Sequence, residues 1–210
     1  MYFVNTPYLL KKFYPGLIWE IPNNHHHVFL TFDDGPTPDI TEEVLAVLSK
    51  NNAKATFFCT GKNVEKNPAI YQCILQEGHT VGNHSFMHQN GWKTNDIDYI
   101  EDVKRGSSLI HSNLFRPPYG KITFSQIEKL KIDFKIVMWS VLSADFDNTI
   151  SPQQCLKNSI EQIKSGSIIV FHDSEKAKKN MLYTLPRFLE HCHAKNLIPT
   201  SLHTSSAVSI

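Results

Sequence analysis

The stretch Thr31-Phe32-Asp33-Asp34-Gly35-Pro36 decides how this chain is read. It completes a short apolar run, 27–32, rich in β-branched and aromatic residues, which predicts a strand. Gly35 and Pro36 then turn the chain sharply. Asp33 and Asp34 therefore end a strand side by side. Adjacent carboxylates repel each other unless a cation or a shared proton relieves them. A polar turn accounts for the same residues without any chemistry.

Outward from this point one alternation repeats. Apolar runs at 27–32, 55–60, 79–84, 114–117, 135–142, 166–173 and 197–202 are separated by stretches with helical spacing at 41–51, 68–77, 96–111, 125–131, 152–164 and 182–194. Strands alternating with helices imply parallel pairing through right-handed crossovers. About seven parallel strands suit either a (β/α) barrel or an open doubly wound sheet. The polar residues favour the barrel. Asp33 and Asp34 end the first run and His84 the third; Arg116 follows the fourth, Asp145 the fifth, and His172 with Asp173 the sixth. In a (β/α) barrel the strand C-termini converge on one face, where reactive groups gather. Turn-forming Asp would be ordinary at such places; His and Arg as well would not.

Two further motifs carry candidate chemistry. In His84-Ser85-Phe86-Met87-His88 the imidazoles are four residues apart. On a helical turn both would face one side and reach one metal. A pair of surface histidines is the plain alternative in a chain with 11 of them. Joined to a strand-end Asp, the pair offers two neutral nitrogens and a carboxylate, a set suited to Zn²⁺ and also to Fe, Co, Ni or Mn. In Arg116-Pro117-Pro118-Tyr119-Gly120 the prolines stiffen a loop that holds Arg116. A fixed guanidinium can orient a carboxylate, and the Tyr119 and Gly120 amides can face an oxyanion.

Taken in order, Asp33-Asp34, His84/His88, Arg116-Pro-Pro-Tyr119-Gly120 and Val170-Phe171-His172 resemble the motifs of the polysaccharide deacetylase family, or NodB-homology domain, over about residues 28–202. The resemblance implies a distorted (β/α) barrel and a divalent-metal hydrolase that removes acetyl from N-acetylated sugars. It implies Asp34, His84 and His88 as metal ligands, with Zn²⁺ expected and Co²⁺, Ni²⁺, Mn²⁺ or Fe²⁺ as alternatives. It implies Asp33 as general base, Arg116 as its partner, the Tyr119 amide as oxyanion donor, and His172 as general acid tuned by Asp145. Tyr119, Phe146, Val170 and Trp92 are expected to touch substrate. The family's usual Asp-Trp pair reads Asp145-Phe146 here, which loses an indole donor. Ser140 and Leu142 stand where many relatives have Asp, and Val170 where Leu is usual. A small-molecule amide hydrolase, an O-acetyl glycan esterase and a non-catalytic glycan-binding protein are the competing readings. The retained base, ligand and acid set weighs against the last.

The rest of the chain narrows the classes. Its 210 residues suit one domain, with 41% hydrophobic and 20% charged residues. A net charge of +1 and the lack of a Lys/Arg block argue against nucleic acid as partner. No run is long and apolar enough for a membrane span, and Lys11 and Lys12 follow the first apolar residues rather than precede them, unlike a secretory signal. A soluble cytoplasmic protein is expected, with export left open. The expected layout is an N-terminal extension packed on the barrel (1–27), the catalytic domain (28–202) and a tail (203–210). Four well-separated cysteines read as free thiols. Asp173 reads as a helix cap.

Overall fold

The computed structural model describes residues 2–22 and 25–202; the expected tail, 203–210, lies outside them. Strand β1 (His27–Asp34) is central. It pairs in parallel with β2 (Thr56–Cys59) on one side and β7 (Ile168–His172) on the other. Beyond β2 lie β3 (Thr80–Asn83), β4 (Leu114–Phe115) and β5 (Lys135–Ile136); beyond β7 lies β6 (Val141–Leu142). Strand β8 (Ile198–Thr200) pairs with the first residues of β1, on the side that β2 takes over further along.

Every expected run supplies a strand, but the fifth, 135–142, is divided. Its two ends, β5 and β6, lie at opposite edges of the sheet. The Val137 amide donates to the Phe115 carbonyl at 2.8 Å and the Ser140 amide to the Ile168 carbonyl at 3.0 Å, so one run serves both edges and curls the sheet into a distorted barrel. The N-terminal segment covers backbone that would otherwise lie open. Ile18 exchanges hydrogen bonds with Ile136 and Met138, and Val4 and Thr6 bond Leu142 and Ser140.

Strand alternation sorts the side chains. Val28, Leu30 and Phe32 of β1, Phe57 of β2, and Ile169 and Phe171 of β7 face outward. There they pack on α2 (Ile40–Lys50), α4 (Pro68–Gln76) and α8 (Lys178–Ala194). The intervening residues face inward and form layers by register. Phe29 pairs with Ile168, Thr31 with Val170, and Asp33 with His172. The interior is thus apolar at its base, with Phe58, Leu114, Val137 and Leu202 around Phe29 and Ile168, and ionisable at the strand C-termini.

Three further helices are α5 (Asp96–Ser107), α6 (Phe124–Leu130) and α7 (Pro152–Ile160), each within the stretch predicted for it apart from Phe124. Side-chain oxygens of Asn95, Thr123 and Ser151 accept backbone N–H groups at their starts. Two helices were not legible from periodicity: α1 (Tyr8–Phe13) and α3 (Gly61–Lys66), each only 6 residues long. Among the described residues no helix is long and apolar enough to cross a membrane.

Candidate active site

The strand ends meet as the barrel reading requires. Asp33 is buried, and its Oδ1 accepts from Arg116 Nη1 at 2.7 Å. Arg116 is itself fully buried at the end of β4. A buried guanidinium needs all its donors satisfied. Nη1 also reaches Thr31 Oγ1, Nε reaches the Val137 carbonyl and Nη2 the Met138 carbonyl. Its guanidinium carbon lies 4.1 Å from the centre of the Phe58 ring. Arg116 thus cannot follow a moving carboxylate; it fixes one.

Asp34 would point away from Asp33 if β1 stayed pleated. It does not, because Asp34 has φ +85°. Its Oδ1 lies 3.8 Å from His84 Nε2, and that same nitrogen is 4.0 Å from Asp33 Oδ2. His88 Nε2 lies 3.1 Å from Asp34 Oδ1. Asp34, His84 and His88 each offer one ligand atom, all within 4.8 Å of one another. The histidines converge differently from expectation. Residues 84–88 are a loop, not a helical turn, with φ of +63° at Ser85 and +60° at His88. The loop is held from outside by Asn83 Oδ1 on the Ser85 amide, Asp102 on the Met87 amide, and the Gly61 and Lys62 amides on the Ser85 and Phe86 carbonyls.

The donor chemistry fits a divalent cation. His84 Nδ1 lies 2.7 Å from the Arg116 carbonyl, so it carries the proton and leaves Nε2 as a lone pair. Burial is the main influence on His84 and pushes its pKa down to about 4, so the ring is neutral at pH 7. Asp34 Oδ1 is buried and makes no hydrogen bond despite the nearby His88 nitrogen. Burial would raise the Asp34 carboxyl, but His88, His172 and His84 outweigh it and hold it well below the usual carboxylate range. An anionic oxygen without a hydrogen bond beside a lone-pair nitrogen is what a cation would join.

Across the register from Asp33 stands His172. Its Nδ1 lies 2.7 Å from Asp145 Oδ1, and its backbone amide donates to Asp145 Oδ2 at 2.8 Å. Burial pulls the imidazole pKa down, but the charge and hydrogen bond of Asp145, with help from Asp34 and Asp33, push it up to about 9. Aromatic rings flank both sides. Tyr119 sets its ring edge-on to His88, with centroids 4.5 Å apart, and Phe146 meets His172 at 5.1 Å. Tyr119 has φ +60°, and its side chain is exposed. The Gly120 amide is not free for an oxyanion, because it donates to the Pro117 carbonyl at 3.0 Å.

Val170 lies buried one layer below His172. Trp92 is exposed, its indole N–H donates to the Ile122 carbonyl, and the Lys121 ammonium sits 3.8 Å from the ring centre. With Tyr119, Trp139 and the N-terminal Tyr2 and Phe3 it lines an apolar cavity of about 330 Å³. Ser140 is buried and bonded to Ile168, and Leu142 is buried in β6. Asp173 is not a helix cap. Helix α8 begins five residues later, with Ala177 at its cap, and the Asp173 carboxylate instead accepts from the Gly35 amide and the Thr41 hydroxyl. Thr31 accepts from Arg116, Thr41 donates to Asp173, and Thr60 and Asn63 donate to the Asp34 carbonyl; composition alone gave no sign of these four.

Relatives carry the same arrangement of chain. The model of the polysaccharide deacetylase family matches residues 20–132. A peptidoglycan-N-acetylglucosamine deacetylase of Bacillus cereus is 36% identical over 160 residues, 73% of this chain and 58% of that protein. The match thus spans a little over half of that relative's length. A second protein of that name from the same organism is 32% identical over 179 residues, 81% of this chain and 84% of the relative. A solved peptidoglycan N-acetylglucosamine deacetylase, in complex with 4-naphthalen-1-yl-N-oxidanyl-benzamide, superposes with a TM-score of 0.86 at 30% identity, covering 94% of this chain and 95% of that one. The shared fold, the family match over residues 20–132 and the identity over most of both chains place this protein in the polysaccharide deacetylase family.

Proposed function

We propose that the chain hydrolyses the N-acetyl group of acetylated amino sugars in glycans, with peptidoglycan or chitin-like oligosaccharides as substrates. The observation that carries this reading is the pairing, on neighbouring strands of one barrel face, of an Arg-held carboxylate with an Asp-held imidazole, beside a His-His-Asp ligand set. The names of the relatives, peptidoglycan deacetylases among them, support the substrate class.

Amide hydrolysis needs two proton moves on opposite sides of the scissile bond. Asp33, acceptor only and oriented by Arg116, takes the proton of the attacking water. His172, kept protonated by Asp145, delivers a proton to the leaving nitrogen. The Tyr119 backbone amide donates to the developing oxyanion. Asp34, His84 and His88 would hold a divalent cation, with Zn²⁺ suited to this donor set. When bound, such a cation polarises the acyl oxygen and acidifies water. Val170 and Phe146 shape the acetyl side, while Tyr119 and Trp92 offer ring faces to the sugar.

The test is a release assay on purified protein with Zn²⁺, Co²⁺, Ni²⁺ or Mn²⁺. Acetate should appear from N-acetylglucosamine oligomers or peptidoglycan. Ammonia or amine release from small amides, with no acetate from any glycan, would replace this reading with a small-amide hydrolase.

A further inference from the structure

Asp34 holds a backbone conformation that costs a residue with a side chain, φ +85°. Such strain persists only where surrounding contacts over-determine it. Those contacts are present, and one residue stands at their centre. Asp173, which is buried, reaches both sides of Asp34. Its amide donates to the Asp33 carbonyl at 3.2 Å, and its Oδ1 accepts from the Gly35 amide at 3.1 Å. Its Oδ2 accepts the Thr41 hydroxyl proton at 2.6 Å, and Thr41 Oγ1 in turn accepts from the Thr37 amide at 2.7 Å. A Cβ at Gly35 would fall within the Asp173 carboxylate, so the glycine is what lets the two approach. From the other side, Asn63 Nδ2 and Thr60 Oγ1 both donate to the Asp34 carbonyl, at 2.8 and 3.1 Å.

We propose that Asp173, through Gly35 and the Thr41 hydroxyl, is a positioning residue that sets the direction of Asp34 toward the two imidazoles. This rests on the reading of Asp34, His84 and His88 as a metal-binding set. Asp173 is not a ligand itself, since both its oxygens are committed to the loop behind Asp34. Its bonds span the turn that begins at Asp34, so losing one lets the carboxylate swing. Partners of this kind typically govern metal affinity by about 10–100-fold.

The experiment measures Zn²⁺ affinity of metal-free protein by competition with a chromophoric chelator, without substrate. Asp173→Asn keeps the size but replaces one acceptor with a donor, and should weaken Zn²⁺ binding by about 10–100-fold. Thr41→Val removes the hydroxyl at nearly constant volume and should weaken it in the same direction, whereas Thr41→Ser restores the hydroxyl and the affinity. Wild-type affinity in Asp173→Asn overturns the proposal. Should that variant fail to fold, the Thr41 pair decides, and equal affinities for Val and Ser overturn it as well. A wild-type protein that binds no Zn²⁺ is a different result: it removes the ligand set, and with it both the proposed function and this role for Asp173.

Discussion

Asp33 and His172 occupy one register position on adjacent strands, yet their surroundings prepare them for opposite tasks. Asp33 accepts a hydrogen bond from the Arg116 guanidinium; His172 is bound to Asp145 and pushed up to about 9. An acid with that value is protonated below about pH 9 and loses its proton above it. The alkaline limb of the pH–rate profile should fall there. Burial is the strongest influence on His172 and acts downward, so Asp145→Asn, which removes the opposing charge, should move that limb to lower pH. An unmoved limb would separate Asp145 from the acid. An amide nitrogen leaves poorly unless protonated, while an activated aryl ester leaves easily. His172→Ala should therefore lose more rate on an N-acetyl substrate than on such an ester, and equal losses would assign the proton to another group. The adjacent aspartates should also separate: Asp33→Asn keeps the ion and loses on the order of 10²–10⁴ in rate, whereas Asp34→Asn loses the ion. Elemental analysis of the two variants, beside their rates, reads this directly.

Arg116 shows how elements are tied to the site. One side chain joins β1 through Thr31 and Asp33 to the 137–138 segment that leaves β5, and stacks over Phe58 of β2. Removing one member of a buried ion pair leaves an uncompensated charge, typically costing about 3–5 kcal/mol. Arg116→Ala should lower the urea midpoint accordingly, and adding Asp33→Ala should recover part of the loss, since the two are coupled. Additive losses would contradict the pairing. The same elements mark how far the sequence could be read. Strand ends and their ionisable residues were legible because they follow from local pattern: an apolar run, then Asp-Asp-Gly-Pro or Arg-Pro-Pro-Tyr-Gly. The division of 135–142 was not, because only the barrel's closure decides that one run must serve two edges. Nor was the 84–88 loop, whose positive φ values at Ser85 and His88 depend on acceptors and donors from α3 and α5. Asp173 reads locally as a cap; its partners Gly35 and Thr41 are more than a hundred residues away.

At the scale of the molecule, the barrel divides its labour along its axis. The base layer of Phe29, Phe58, Leu114 and Ile168 is apolar and supplies packing, while the C-terminal rim gathers the Arg116–Asp33 and His172–Asp145 pairs beside Asp34, His84 and His88. Such a rim is held in place by the stability of the layers beneath it. It also predicts that reactivity follows the ion and not the fold. The most direct measurement of the account is acetate released from an N-acetylglucosamine oligomer as Zn²⁺ is titrated into metal-free protein. The account predicts no release without the ion, release rising in proportion to bound Zn²⁺ up to one ion per chain, and release lowered by about 10²–10⁴-fold in Asp33→Asn at full occupancy. Undiminished acetate release from protein shown to be metal-free, or from Asp33→Asn, would contradict it.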